Sequence, residues 1–400
     1  MNKIYLIIFL MILFSASSCK FCLQQTYGRY LVNKELSSST KVDSIFTITI
    51  PYELWNGLPL IKLNINDSDS QFNFLVDTGA FSSGTTKLAK EVNGEKKKRI
   101  RKTLDTNGEE KQGDFYLFRK IQINDLIISK MNLKCYDELV EGTIDGILGV
   151  DFMRDKIFFF DHKNQLLTIS NDKNYNFNLS KSQFTKTKIW KSWDNKYFVY
   201  ADFFNKRNKF LIDTGYNSFV TLDSKSNSLE NVSPKKSYLV KIKGAFSSKF
   251  FVKNYYEIMN FSFLHQQFAL GRLESGNSNK LGFDLFRKMD VQLDFRKNQL
   301  YLYSDTDDIF LGEEVPIMPI EFSFSKSNLY VRAVESSIYG SVDLLPGDII
   351  VSIDNELVPN NLDQAIWFIK HLENKEKYIF QIQREDKIFS SEIERKLLKN

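Results

Sequence analysis

Leu75-Val76-Asp77-Thr78-Gly79-Ala80 is echoed by Leu211-Ile212-Asp213-Thr214-Gly215-Tyr216, 136 residues later counted from aspartate to aspartate. In each copy two apolar residues run into an aspartate, and a threonine and a glycine follow. The apolar pair reads as the end of a buried strand, and Thr-Gly as the start of a tight turn. A carboxylate is thereby left at a strand end, beside backbone that a glycine allows to approach closely. One copy alone would be ordinary turn chemistry.

The surroundings of the two copies repeat as well. Gly146-Ile147-Leu148-Gly149-Val150-Asp151-Phe152-Met153-Arg154 follows the first, then Phe158 to Phe160, Asp161 and Asn164-Gln165-Leu166. Lys280-Leu281-Gly282-Phe283-Asp284-Leu285-Phe286-Arg287 follows the second, then Val291 to Leu293, Asp294 and Asn298-Gln299-Leu300. Gly149 and Gly282 are 133 positions apart by subtraction, close to the spacing of the aspartates. So many features in one order identify an internal duplication, each copy supplying half of a site.

The paired motifs resemble those of the aspartic proteases, where two apolar residues precede Asp-Thr-Gly and an apolar-apolar-Gly element follows later in each lobe. Ile147-Leu148-Gly149 fits that element. Lys280-Leu281-Gly282 departs from it, with a lysine at an apolar position. The short lobes are most similar to the retropepsin-like branch, and the resemblance spans roughly residues 40 to 305. It implies a mainly β chain with a bilobal acid-protease β-barrel fold, lobe one at 44–172 and lobe two at 173–306.

The resemblance also assigns roles. Asp77 and Asp213 would be the catalytic pair, Thr78 and Thr214 would lock the two loops together beneath them, and Gly79 and Gly215 would offer backbone N–H groups to the acids. Two carboxyls about 3 Å apart share one proton and titrate as a unit. The ionised one is then a general base toward water; the protonated one hydrogen-bonds the scissile carbonyl and later protonates the leaving nitrogen. This chemistry calls for no metal and no cofactor. Tyr216 departs from the family, which has a small residue or a hydroxyl there, and is expected to crowd the pair or hydrogen-bond an acid. A flap over the cleft is implied between 103 and 135. Asn107-Gly108 suits a hairpin turn, yet any surface hairpin explains it equally, so no flap residue follows from the sequence.

The rest of the chain sets the context. Four hundred residues predict more than one domain. With 54 basic and 49 acidic residues the surface is nearly balanced. The densest basic run, Lys96 to Arg99 with Arg101 and Lys102, has no interleaved aromatics and reads as a solvated loop, so no nucleic-acid partner is expected. At the N-terminus Lys3, an apolar run from Ile4 to Phe14 and Ser15-Ala16-Ser17-Ser18 read as a signal peptide over 1–18. The approach to Cys19 resembles a bacterial lipoprotein processing site, although Ala16 stands where leucine is usual. It implies lipidation at Cys19, a tether over 19–43 and a membrane-anchored protein of the cell envelope, in the periplasm or at the cell surface. Cys22 is a poorer candidate. With Cys135 the only other cysteine, there is no disulfide framework, and Cys135 reads as a small buried hydrophobe.

Beyond residue 306 the character changes. Leu344-Leu345-Pro346-Gly347-Asp348-Ile349-Ile350 followed by Val351 to Glu356 resembles the core stretch of PDZ domains, which implies a small α+β PDZ-like domain over 307–400. Asp363 is expected to cap a helix carrying Ala365, Ile366, Ile369 and Leu372 on one face, and a hairpin around Asp386-Lys387 to close the domain. Such domains add an extended peptide as a strand, but no Gly-rich loop precedes the Tyr330 to Val334 strand. His162, His265 and His371 are scattered without metal-ligand spacing. Trp55, Trp190, Trp193 and Trp367 read as core or cleft-lining. The expected function is an aspartic endopeptidase acting on peptides or unfolded protein, with the C-terminal domain binding substrate or a peptide ligand. The alternative is a catalytically weak peptide-binding protein or scaffold that retains the cleft.

Overall fold

The architecture comes from a computed structural model that describes residues 42, 44–139, 144–175, 184–192, 195–203, 206–230, 232–256, 261–263, 266–268, 273–303, 319–325, 328–359, 375–394 and 397. The expected signal peptide, Cys19, Cys22 and the helix expected after Asp363 lie outside the described residues, as do His265, His371, Trp193 and Trp367. Strands dominate, and among the described residues the helices of the two halves are short, such as Thr86–Glu91, Val150–Met153 and Phe283–Phe286. Among the described residues no helix is long and apolar enough to cross a membrane.

Apolar content concentrated in short runs produces this result. Phe72–Val76 is buried along nearly its whole length and sits in the middle of a sheet, between Leu58–Ile65 on one side and Gly146–Leu148 on the other. Leu58–Ile65 alternates only toward its end, as a strand covered on both faces does. The two halves of the chain then repeat one topology. In the first, Phe72–Val76 runs parallel to Gly146–Leu148, which pairs antiparallel with Ser83–Thr85. In the second, Lys206–Asp213 runs parallel to Lys280–Gly282, which pairs antiparallel with Val220–Asp223.

The halves are joined by a six-stranded sheet. Thr47–Pro51, Leu166–Ser170 and Ile157–Asp161 come from the first half; Asp290–Asp294, Gln299–Tyr303 and Phe184–Lys188 come from the second. Its central seam pairs Ile157 with Asp294 and Phe160 with Val291. Phe158, Phe159 and Phe160 are each buried there, each side chain contributing about 1.5–3 kcal/mol. The duplicated Asn-Gln-Leu stretches are the turns that bring the outer strands back, with Gln165 and Asn298 in the left-handed region. One continuous apolar core runs through both halves, from Ile48 to Leu302. Cys135 belongs to it: burial pushes its thiol up to about 12 and leaves it an inert hydrophobe.

Two hairpins rise from the halves, Glu95–Leu104 with Glu110–Phe118 in the first and Lys236–Lys243 with Ser248–Tyr256 in the second. The basic run at Lys96 to Arg99 is therefore part of a strand and not the loop expected. It lies on the sheet's edge, with a register shift between Lys97 and Ile100, and charged residues are common on edges because they blunt further pairing. Trp190 also departs from expectation: it is 48% exposed and packs edge-on against Tyr200.

A third set of strands follows. Ile320–Ser325 and Asn328–Glu335 form a hairpin; Ile349–Ile353, Lys377–Arg384 and Lys387–Glu394 extend its sheet. Ile320, Leu329, Val331, Ile350, Phe380 and Ile382 are among the residues of a separate core. Pro346-Gly347-Asp348 turns into the buried strand as its sequence demands. Gly347 has φ +101°, and the Asp348 carboxylate accepts from Leu345 N at 2.7 Å and from Arg384 Nε at 2.8 Å and Nη2 at 2.9 Å. Asp354 and Asn355, both left-handed, turn the strand out again. This module is not separate from the second half. Asn328–Glu335 pairs antiparallel with Lys236–Lys243, setting Tyr238 opposite Glu335 and Val240 opposite Ala333.

Candidate active site

Each Asp-Thr-Gly stretch ends its strand at the seam between the halves. Thr78 and Thr214 interlock there, both fully buried. The Thr78 hydroxyl donates to Ile212 O at 2.7 Å and accepts from Thr214 N at 3.0 Å. The Thr214 hydroxyl donates to Val76 O at 2.8 Å and accepts from Thr78 N at 3.0 Å. The hydroxyl and N–H of each threonine are thus satisfied by the opposite copy, so neither turn is complete without the other.

The crossing places the acids together. Asp77 Oδ1 accepts from Gly79 N at 2.6 Å, and its carboxyl is within hydrogen-bonding reach of Asp213. Each glycine faces the other copy's acid: a Cβ on Gly79 would sit 2.6 Å from Asp213 Oδ1, and one on Gly215 would collide with the Asp77 carboxyl. Glycine is thus required at both positions by close approach of the opposing half. Below the acids, Val150 N donates to Ala80 O at 2.9 Å and Phe283 N to Tyr216 O at 2.8 Å. These bonds explain why Leu-Gly-x-Asp recurs with each triplet: the short helices it opens carry the floor of the turns. The Asp151 carboxylate accepts from Ser82 N at 2.6 Å as part of that support.

Burial and the neighbouring Asp213 carboxyl push Asp77 up to about 7, against the pull of the Gly79 N–H and of the nearby Lys280 ammonium. Lys280 was visible in the sequence only as a departure from an apolar pattern. Its Nζ lies 3.0 Å from Asp213 Oδ2, with both side chains about nine-tenths buried. Burial alone would lower the Lys280 pKa, but the charge and hydrogen bond of Asp213, joined by Tyr216 and Asp77, together outweigh it and the net shift is upward. Tyr216 takes a different place from the one expected. Its hydroxyl accepts from Lys253 Nζ at 2.7 Å and meets Thr221 Oγ1 at 3.4 Å, and no bond to Asp77 or Asp213 is described. Its ring instead lies against Lys280, whose Nζ is 4.6 Å from the ring centroid. Lys253 in turn bonds buried Glu274 at 2.7 Å. Lys253 and Glu274 had no motif around them; only their placement on Ser248–Tyr256 and Leu273–Gly276 brings them to Tyr216.

The acids open into a cleft of ≈ 1230 Å³. Trp55, Leu75, Ile147 and Leu211 line its floor, Lys102 to Asn107 and Val240 to Phe246 its roof, and Tyr330, Arg332 and Ile349 one end. The roof is the pair of hairpins, and their tips touch. Asp105 Oδ2 accepts from Ser247 Oγ at 2.8 Å and Phe246 N at 3.2 Å. Asn107 Nδ2 donates to Ser247 O at 3.0 Å and Ile242 O at 3.1 Å. Phe246 packs on Tyr136 across the gap, ring centroids 4.4 Å apart.

His162 is a core residue. Burial pushes it down to about 3, it shares a 2.7 Å bond with the Tyr52 hydroxyl, and it stacks on Phe160. Among the described residues no cluster of His, Cys, Asp or Glu is arranged to hold a metal ion.

Residues 61–152 match a family model described as Aspartyl protease. No curated protein matches the chain. The matched segment contains the first acid; the second acid lies beyond it, in the half that repeats its topology.

Proposed function

We propose that this chain is an aspartic endopeptidase with Asp77 and Asp213 as its catalytic pair. The observation that carries the reading is the reciprocal Thr78–Thr214 crossing, which seats two carboxyls within reach of each other in the cleft. The pair shares one proton, which burial and the facing Asp213 carboxyl favour keeping on Asp77. The Asp213 carboxylate takes a proton from a water as its oxygen attacks the scissile carbonyl carbon, while Asp77 donates a hydrogen bond and then its proton to the carbonyl oxygen. Collapse of the tetrahedral adduct breaks the C–N bond, the leaving nitrogen receives the proton held by Asp213, and one hydroxyl of the adduct returns a proton to the pair. Thr78, Gly79, Thr214 and Gly215 keep the acids in register. The apolar floor around Trp55, Leu75 and Ile147 favours apolar side chains beside the cut.

The same reading has the chain exported and lipid-anchored at Cys19, with the C-terminal module acting as a PDZ-like domain that presents peptides. Its strand Asn328–Glu335 at one end of the cleft supports that role. The test is cleavage of an unstructured protein by the full chain from pH 4 to 8.5, beside Asp77→Asn and Asp213→Asn. Loss of cleavage in both variants with folding intact is expected. Equal cleavage by all three overturns the assignment. A second reading, a peptide-binding cleft with little turnover, is favoured by the latched roof; tight peptide binding by an inert wild type is its signature.

A further inference from the structure

Tyr216, Lys253, Glu274 and Lys280 form a buried set of charges beside the acids that hydrolysis by a two-acid site does not require. The geometry points to Lys280 as a positioning residue that assigns the shared proton: its ammonium, clamped on Asp213, holds the negative charge of the pair there and leaves the proton on Asp77. The inference rests on the endopeptidase reading and specifies how its site is tuned.

Several observations converge on it. Lys280 Nζ is 3.0 Å from Asp213 Oδ2, and both side chains are withdrawn from water. An ammonium at that distance in such a setting favours the anionic partner far more than it would at a surface. It is positioned against one acid only, so it breaks the symmetry that the duplicated turns impose. The Tyr216 ring fixes it from below at 4.6 Å, a cation–π contact that a small residue at this position cannot make. The Tyr216 ring is held in turn, because its hydroxyl accepts from Lys253, whose remaining charge is matched by Glu274. The charged and titratable groups around Lys280 are thus the two acids and Tyr216 from the second turn, and behind Tyr216 stand Lys253 and Tyr255 from Ser248–Tyr256 and Glu274 from Leu273–Gly276. Lys253 and Glu274 cancel. Asp77, Asp213 and Lys280 together with one shared proton are neutral, and this is the form built to be stable near neutral pH.

The sign follows. The active form holds one proton, so activity falls at low pH when the pair gains a second and at high pH when it loses the last. Lys280 favours loss of protons from both acids, most from the one it touches. Removing its charge therefore raises both limbs of the profile, the acid limb more. The experiment compares the full chain with Lys280→Met, Lys280→Gln and Lys280→Arg, using cleavage from pH 3 to 9 and, in the same proteins, the ¹³C carboxyl titration of Asp77 and Asp213, assigned with their Asn variants. The expected result is an acid limb raised by about one to three pH units in Lys280→Met and Lys280→Gln. The bell should be narrower, and Lys280→Arg should restore the wild-type limb. A lower kcat at unmoved limbs, with an unmoved carboxyl titration, overturns the inference while the endopeptidase reading stands. If the wild type proves inert, that reading fails, and the carboxyl titration still decides the role of Lys280.

Discussion

Thr78 and Thr214 show how much of the site rests on single hydroxyls. Each donates to a carbonyl and accepts from an N–H of the other copy inside a fully buried crossing. Thr78→Val keeps the shape and leaves Ile212 O and Thr214 N without their partner, a loss of about 2–4 kcal/mol given the cost of unmet buried groups. Thr78→Ser, which keeps the hydroxyl, should recover most of it. Urea unfolding of the two variants measures this, and equal midpoints would show that the crossing contributes no stability. At this scale the sequence was informative. Asp77, Asp213, both threonines and both glycines were legible because a turn that must meet its own copy tolerates few residue types. Lys280 and Tyr216 were legible only as anomalies: the Tyr216 hydroxyl turns toward Lys253, 37 residues away, and not toward an acid, and nothing local predicts that partner.

Among the elements, the two hairpins decide access to the cleft. Their tips are latched by Asp105 and Asn107 on one side and by Phe246 and Ser247 on the other. Asp105 has a second task, accepting from Asn107 N and Glu109 N at 2.9 Å and so shaping its own turn. The double variant Asp105→Ala/Asn107→Ala should free both tips. Hydrogen exchange at residues 105–109 and 244–248 is expected to rise at least tenfold, while Phe72–Val76 and Gly146–Leu148 stay protected. Unchanged exchange at the tips would mean that packing of Phe246 on Tyr136 suffices. Asn107-Gly108 marked the first hairpin in the sequence, as a turn dipeptide should. That the turn touches the other half was not legible, because hydrogen bonds across more than 130 residues leave no periodic trace.

Over the whole molecule, strand pairing makes one sheet of the second half and the C-terminal module. Tyr238, Val240, Tyr255 and Ala333 pack together at that junction, all buried. Removing residues 304–400 would uncover Tyr238 and Val240 and leave Lys236–Lys243, a strand of the cleft roof, with an open edge. Open apolar edges invite association. The shortened chain is expected to be less stable and to self-associate, read by thermal unfolding and light scattering. A monomeric shortened chain with the full-length transition would show that the junction is dispensable.

Sequence alone determined that two like halves each present an acid at a strand end, because a duplicated strand-turn pattern is local and survives in residue order. It also marked the Pro-Gly-Asp turn of the C-terminal module, where backbone conformation restricts residue choice. Tertiary structure decided which groups surround the acids: the lysine on Asp213, the tyrosine beneath it, the latch across the roof and the strand tying the third module to that roof. Those contacts join segments far apart in the chain, and their energy depends on burial and distance, which exist only once the chain has folded.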